Sequence, residues 1–228
     1  MRRAYRLIFF VVLCFVVFVF CTLLNARPVR LGNEAFIEKH LSLVLGKNIG
    51  IVCNHTSVLS NGTHLVDTLV KLGIHVAALF SPEHGIRGNA SAGANVSDTA
   101  DSQTGIPIYS LYGNRHMPTS EMLNNVDVIL FDLQDVGARF YTYASTMALA
   151  MEAAAKNGKI LIVLDRPNPI NGIDVEGPVL DTTLRSFVGM FPIPIRHGLT
   201  LGELAKMIVG ENWIHESSKL DLVVIPME

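Results

Sequence analysis

A carboxylate, an imidazole and a guanidinium lie within five positions of each other, at Glu83, His84 and Arg87. The apolar run before them, residues 76–80, predicts a short buried strand, and Ser81-Pro82 predicts the turn that ends it. In α/β sheets, ligands bind beyond the carboxyl ends of the strands. The cluster therefore predicts acid-base or ligand-binding chemistry at that edge, although polar residues also follow many strands that hold no site.

Polar side chains also follow three further apolar runs, at 48–54, 126–131 and 160–164, which predict strands. In a parallel sheet the turns after these strands open on one edge, so the side chains would converge on one cleft. These side chains are Asn54, His55, Asp132, Gln134, Asp135, Arg139, Tyr141, Tyr143, Asp165, Arg166 and Asn168. Arginine, tyrosine, amides and carboxylates together suit a polyhydroxylated or anionic ligand.

The elements that position these side chains alternate between strand and helix. The predicted helices are 63–72, 142–156 and 201–209, the last strand is 222–225, residues 119–124 open with a helix-capping pattern, and 85–105 is a long loop. Strands separated by helices predict an α/β fold with a Rossmann-like, mostly parallel sheet and helices on both faces.

Composition limits the class of protein. The chain has 228 residues, of which 50% are hydrophobic and 17% charged, and a net charge of -2. Such a chain forms a substantial core, and nothing in it indicates a nucleic-acid-binding surface. Of the three cysteines only Cys53 falls within the predicted domain, so no disulfide forms there.

The first residues are typical of a targeting segment. Arg2, Arg3 and Arg6 precede an apolar run, residues 7–24, which predicts a signal peptide or membrane anchor over residues 1–27. Leu24-Asn25-Ala26 lacks the small residue wanted three positions before a cut, which favours retention as an anchor. We expect residues 28–228 to form the exported domain, periplasmic or extracellular, with residues 7–24 anchoring it to the inner membrane.

The sequence lacks the motifs that mark several classes of enzyme. The sequence contains no phosphate-binding P-loop, no G-x-G-x-x-G after the first strand, no H-E-x-x-H and no G-x-S-x-G. A hydrolase built from carboxylates and histidine remains. Glycoside hydrolysis needs two carboxyl groups, and Glu83 and Glu176 both lie in glycine-flanked, turn-rich positions. A metal-assisted phosphoesterase using Asp132, Asp135 and His84 is the alternative chemistry.

Six segments carry a more specific likeness. They are SPEHGIRG, TGIPIYSLYG, DVILFDLQDVGARFYTY, VLDRPNPING, VEGPVLD and SFVGMFPIPIRHGLTLGELA. With them the chain resembles, from about residue 50 to its end, the bacterial exo-β-N-acetylmuramidases related to NamZ. The resemblance implies a Rossmann-like domain paired with a smaller C-terminal domain. It also implies release of N-acetylmuramic acid from the non-reducing ends of peptidoglycan fragments, without a metal or organic cofactor. Glu83 matches a glutamate of that family's cleft.

The polar residues after the strands and the family resemblance together predict one site. Its catalytic residues are Glu83, Glu176 and His84, and its substrate-binding residues are Asn54, Asp132, Gln134, Arg139, Tyr141, Asp165, Arg166, Asn168, Arg196 and His197. Structural alternatives stay open for several of these residues. The two arginines Arg139 and Arg166 would then pin loops, the tyrosines would belong to the core, and the aspartates would cap turns.

The expected partners are muramyl sugars derived from peptidoglycan and, through residues 7–24, a membrane. Members of the resembled family continue beyond the point that corresponds to Glu228. We therefore expect most of the second domain to be missing from this chain. The alternatives are a fragment, a split gene product whose C-terminal part is a separate polypeptide, and a decaying gene. The alternative function is that of a non-catalytic envelope protein that binds the sugar without cleaving it.

Overall fold

The computed structural model describes residues 29–83, 85–88 and 98–228, together with Val12, Leu13 and Phe15. The predicted N-terminal apolar segment, 7–24, lies outside these residues except for those three. Within the described part of the chain, no helix combines the length and the apolar character that crossing a bilayer requires. The signal peptide or anchor stays a prediction.

Within the described residues, seven strands form one sheet in the order β3-β4-β2-β1-β5-β6-β7. They are β1 Ile49–Cys53, β2 Val76–Ser81, β3 Thr99–Ala100, β4 Pro107–Ser110, β5 Val128–Asp132, β6 Ile160–Leu164 and β7 Asp221–Ile225. All neighbouring pairs are parallel except β3 with β4. Every residue of β1 and β5 is buried, as expected for strands that are covered on both faces. The predicted mostly parallel α/β sheet is confirmed.

Helices cover both faces of the sheet. The helices are α1 Gly32–Ala35, which continues into a wider turn over Phe36–His40, then α2 Leu65–Lys71, α3 Tyr143–Lys156 and α4 Leu201–Gly210. Helices α3 and α4 pack against Phe80 and Phe131 on one face. Residues of α1 and α2, with Phe36, pack against Ile51 and Leu130 on the other face. Alternate residues of each strand therefore point into two separate apolar cores.

The order of the strands reverses between β1 and β5. From β1 the chain adds β2 and β4 on one side, and from β5 it adds β6 and β7 on the other. In open α/β sheets the crevice at such a reversal, beyond the carboxyl ends of the strands, is where ligands bind. Here it lies beyond Cys53 and Asp132, the last residues of β1 and β5.

Two regions differ from the sequence-based prediction. Residues 120–125 form a turn rather than a helix, although the amide of Met122 does donate to the Thr119 hydroxyl over 3.4 Å. A segment this short gains too few hydrogen bonds to nucleate a stable helix. Within and after the predicted loop 85–105, the short strands β3 and β4 extend the sheet. Strand β4 has four residues and begins with proline, so its sequence carries little strand signal.

Candidate active site at the sheet edge

Glu83 lies just beyond β2, half-buried at the edge that the sequence predicts. The hydroxyl of Tyr112, two residues beyond β4, donates a hydrogen bond to it, and this bond raises the pKa of Tyr112. The negative charge of Glu83 also contributes to raising the pKa of Tyr143, at the start of α3. Two other segments, the loop after β4 and the start of α3, therefore bring tyrosines close to the Glu83 carboxylate, which water can still reach.

A tyrosine pair forms the wall beside this carboxylate. The side-chain amide of Asn54 donates to the hydroxyl oxygen of Tyr143 over 2.6 Å. The ring of Tyr141 meets that of Tyr143 edge-on, with centroids 4.7 Å apart. Burial, reinforced by Tyr141, raises the pKa of Tyr143 well above its usual value. Tyr143 is thus a fixed, neutral group that joins the loop after β1 to the start of α3.

Arg87, the third member of the predicted cluster, is held by two carboxylates. Its guanidinium donates to Asp67 over 2.7 and 2.8 Å, and to Asp101 over 2.8 and 3.0 Å. These hydrogen bonds lower the pKa of Asp101 to about 2. Asp67 belongs to α2 and Asp101 follows β3. Arg87 therefore clamps the loop that carries Glu83 to the rest of the domain.

Asp132 and Arg166 form a buried ion pair. Arg166 donates from Nε to one oxygen of Asp132 over 2.6 Å and from Nη2 to the other over 3.0 Å. Asn33 adds a third donor over 3.1 Å, and the Asp132 side chain is fully buried. Because both oxygens already accept hydrogen bonds, the pair serves the fold in this structure. Its predicted contact with substrate stays a prediction, and a metal-binding role for Asp132 gains no support.

Three further predicted residues tie loops together. Asp165 accepts hydrogen bonds from Thr200 and from the amide of Gly202, and so holds the start of α4. Burial raises the pKa of Asp165. Gln134 donates to the main-chain carbonyls of Asp135 and Pro167, and Asn168 donates to that of Leu199. These side chains join the segments after β5 and β6 to the start of α4, and their contact with a ligand stays a prediction.

The arginines Arg139 and Arg196 hold the long connection between β6 and α4, residues 165–200. Arg139 donates to the main-chain carbonyls of Pro178, over 2.8 Å, and of Ile193. Arg196 pairs with Glu176 over 3.1 Å, and the Glu176 side chain is 68% exposed. Glu176 therefore has different neighbours from Glu83. Its part as the second carboxyl group stays a prediction.

His197 and Asp135 face each other in the interior. His197 Nδ1 accepts the amide hydrogen of Leu199 over 3.2 Å, which leaves the ring proton on Nε2. That nitrogen lies 3.8 Å from Asp135. Burial raises the pKa of Asp135 to about 6 and lowers that of His197. The pair joins the loop after β5 to the segment before α4, and the His197 side chain is buried. Its predicted contact with substrate stays a prediction.

His84 lies outside the described residues, so its predicted role is untested. Among the described residues, no three His, Cys, Asp or Glu side chains are arranged to hold a metal ion. The residues that sequence reasoning missed are Tyr112 and Asn33. Tyr112 follows strand β4, so the rule that found Glu83 would have found it once that strand was recognised. No sequence signal marks Asn33.

This chain is similar to a known protein family and to one of its members. Residues 49–228 match the family model described as "Exo-beta-N-acetylmuramidase NamZ, N-terminal". The peptidoglycan beta-N-acetylmuramidase NamZ of Bacillus subtilis (strain 168) is 47% identical over 201 residues, which are 88% of this chain and 48% of that protein.

Two crystal structures of DUF1343 family proteins from Bacteroides fragilis NCTC 9343 share the fold. The first has a TM-score of 0.82 and 42% identity, and the match covers 90% of this chain and 51% of the other. For the second these values are 0.78, 43%, 89% and 52%. The chain spans about half the length of each relative that it matches. The match over residues 49–228 shows that this chain belongs to the exo-β-N-acetylmuramidase NamZ family and corresponds to its N-terminal part.

Proposed function

We propose that this protein acts as an exo-β-N-acetylmuramidase, a glycosidase that releases N-acetylmuramic acid from the non-reducing ends of peptidoglycan fragments. The observation that carries the proposal is the family match over residues 49–228, which includes Glu83 and the loops around it. The B. subtilis relative, 47% identical, is named as a peptidoglycan beta-N-acetylmuramidase. This chain spans about half of that protein. We therefore propose the activity for the active site that this half helps to form.

Glu83 is the proposed acid-base group. It is half-buried at the sheet edge, where a sugar can reach it, and Tyr112 holds its carboxylate by a hydrogen bond. A carboxyl group so placed can donate a proton to the leaving oxygen of a glycosidic bond. Tyr141, which is half-buried, offers its ring to the apolar face of a sugar, and the buried ring of Tyr143 supports it edge-on.

Glu176 is the proposed partner carboxyl group. It is carried by the long connection between β6 and α4, where Arg196 fixes its direction. Glycosidases that retain or invert configuration differ in the distance between their two carboxyl groups. A second domain that closes over the sheet edge would set that distance, so we propose that a C-terminal domain completes the site. It would belong to the same polypeptide or to a separate one.

The proposed setting follows from the substrate and from the sequence. Peptidoglycan lies outside the cytoplasmic membrane, and residues 1–27 have the pattern of an export signal or anchor. We propose an exported domain, periplasmic or extracellular, attached to the inner membrane by residues 7–24. Catalysis by two carboxyl groups needs no metal or organic cofactor.

Turnover of a chromogenic N-acetylmuramide tests the proposal. The chain is assayed alone and with the remaining half of the B. subtilis relative. Glu83→Gln keeps the shape of the side chain but removes its acid-base function, so turnover should fall about 10²–10⁴-fold. Glu121→Gln is the matched control, since Glu121 is an exposed glutamate in the turn before β5, and it should leave turnover unchanged.

Two results separate the alternatives. Turnover by Glu83→Gln within about threefold of the unmodified protein would remove Glu83 from the mechanism, since acid-base catalysis contributes far more than that. Binding of N-acetylmuramic acid without turnover, alone and with the added half, would favour the non-catalytic sugar-binding protein.

A further inference from the structure

A cavity of about 600 Å³ lies on the face of the domain that α3 and α4 cover. Its walls are the middle of α3, the residues 185–191 and the turn 212–215 after α4. We call it the aromatic cavity, after the stacked rings that line it: His116, Phe187, Phe191 and Trp213. Its volume is within the range of about 300–1,000 Å³ that small-molecule sites have in proteins.

The rings of the aromatic cavity are held in two stacked pairs. Phe187 stacks on His116 with the ring centroids 4.0 Å apart, and Trp213 stacks on Phe191 with the centroids 5.3 Å apart. Phe191 is buried behind Trp213, which is itself half-buried. Aromatic faces attract both apolar surface and cations. Because the rings are already packed, a ligand would bind to them at little cost in conformational entropy.

Two opposite charges line the same cavity without pairing with each other. Glu152 of α3 is half-buried, and one of its carboxylate oxygens accepts the main-chain amide hydrogen of His215 over 3.1 Å. Its other oxygen has no partner among the described residues. Arg185 is exposed, and it makes no hydrogen bond or ion pair with the described part of the chain. The cavity therefore offers one contact for a cation and one for an anion.

These groups are complementary to a ligand that carries both charges. An ammonium group would bind the Glu152 carboxylate and the ring face of Trp213. A carboxylate would bind the guanidinium of Arg185, which presents two parallel donors. A neutral saccharide would leave both charges unused, and a singly charged ligand would use one. We propose that the aromatic cavity binds a short peptide with a free ammonium group and a free carboxylate.

The proposed function supplies a source for such a peptide. Peptidoglycan carries short peptides on the lactyl group of N-acetylmuramic acid, and these peptides have apolar, ammonium-bearing and carboxylate-bearing parts. A peptide still attached to the wall would hold the protein against its substrate, whereas a released one would bind as a free ligand. The inference rests on the proposed function for this source alone.

The aromatic cavity and the candidate active site share one loop. His116 belongs to the loop after β4, and so does Tyr112, whose hydroxyl donates a hydrogen bond to Glu83. Arg115 fixes this loop by donating to the carbonyl of Ser110 over 3.0 Å. A bound peptide would therefore pack against the loop that brings Tyr112 to the Glu83 carboxylate.

Fluorescence of Trp213 tests the inference directly, because Trp213 is the only tryptophan of the chain. The whole chain is held in phospholipid bicelles, which contain no tryptophan, and is titrated with the tripeptide L-alanyl-γ-D-glutamyl-L-lysine. We expect a saturable change in the emission of Trp213. A second titration uses the same tripeptide joined through its amino end to N-acetylmuramic acid, which keeps the lysine ammonium group and the carboxylates. Binding of this conjugate identifies a wall peptide as the source, and binding of the free tripeptide alone identifies a released one.

Two variants remove the charges of the cavity. Glu152→Gln keeps an acceptor for the amide of His215 but removes the negative charge, so it should weaken peptide binding about tenfold, the size of one charge-assisted hydrogen bond. Arg185→Gln should weaken it about threefold, because the guanidinium is exposed to water. Glu121→Gln and Lys71→Gln are the matched controls, since both side chains are exposed and lie outside the cavity. Both controls should bind like the unmodified chain.

Three results would overturn the inference. The first is the absence of a saturable change in Trp213 emission with either ligand, and the second is equal affinity of Glu152→Gln and Glu121→Gln. The third is binding of N-acetylmuramic acid without the peptide as tight as that of the conjugate, because the cavity would then be a saccharide site. Melting curves check that each variant is folded. The test measures binding alone, so failure of the chain to hydrolyse muramides would leave its outcome unchanged.

Discussion

Replacing Asp101 with asparagine removes one half of the clamp that holds the Glu83 loop. Asp101 is 2% exposed and accepts two hydrogen bonds from Arg87, with two more from the amide and hydroxyl of Thr104. The asparagine side chain has nearly the same shape but no charge, and its amide nitrogen would become a donor that faces the Arg87 guanidinium. We expect Asp101→Asn to destabilise the domain and to loosen the loop beyond β2.

The size of the effect follows from the pKa of Asp101. Arg87 lowers it from 3.8 to about 2 in the folded protein, which corresponds to about 2 kcal/mol of stability at neutral pH. For a domain of this size the expected fall in Tm is about 4–8 °C. Because the folded pKa is the lower one, this stability is present above the unfolded pKa and is lost as the pH falls through the folded pKa. About half of it should remain at pH 3.

Urea denaturation of both proteins at pH 7 and pH 3 measures this difference. Glu216→Gln is the control, since Glu216 pairs with Lys219 at the surface over 2.8 Å, and its free energy of unfolding should match that of the unmodified protein. Two results would refute the reasoning. One is a loss below about 0.5 kcal/mol at pH 7, the size of an ordinary surface substitution. The other is a loss that is equal at both pH values, which would mean that charge on Asp101 is not its cause.

Three further predictions follow from buried contacts. Asp135→Asn should stabilise the domain by up to roughly 3 kcal/mol at pH 8 and leave it nearly unchanged at about pH 3, below the unfolded pKa. Burial raises the folded pKa of Asp135 to about 6, so the native state loses stability as the pH rises through that value; a gain independent of pH would contradict this. Tyr143→Phe should cost about 1–3 kcal/mol in urea denaturation, because it leaves the buried Asn54 amide without its acceptor; an unchanged midpoint would show that the bond contributes nothing. Arg139→Lys should weaken binding of N-acetylmuramic acid and N-acetylglucosamine by the same factor, measured by calorimetry, since Arg139 donates to main-chain carbonyls. A loss confined to the lactyl-bearing sugar would instead show that Arg139 binds its carboxylate.

Much of the fold could be predicted because its signals are local. The runs that became β1, β5 and β6 are short and almost wholly apolar, as strands covered on both faces must be. The helical pattern that became α3 begins and ends within one residue of its predicted bounds. Strand β4 escaped prediction because four residues that begin with proline carry little local preference for a strand.

The sequence alone also located the edge where the candidate site lies. Asn54, Glu83 and Asp132 each follow or end an apolar run, and in a parallel sheet such positions share one edge whatever the details of packing. The sequence therefore indicated which residues lie at that edge of the sheet. It also placed the chain in its family, through segments distributed over most of its length.

Only the tertiary structure decided which of those side chains are already paired with other side chains of the protein. Asp132 finds its partners at Arg166, 34 positions later, and at Asn33, 99 positions earlier. Arg87 finds Asp67 and Asp101 in elements on either side of it in sequence. A charged side chain that leaves water must be paired, and its partner is fixed by how distant segments assemble. A local pattern cannot contain that information, so an arginine that clamps a loop and one that binds a sugar look alike until the chain has folded.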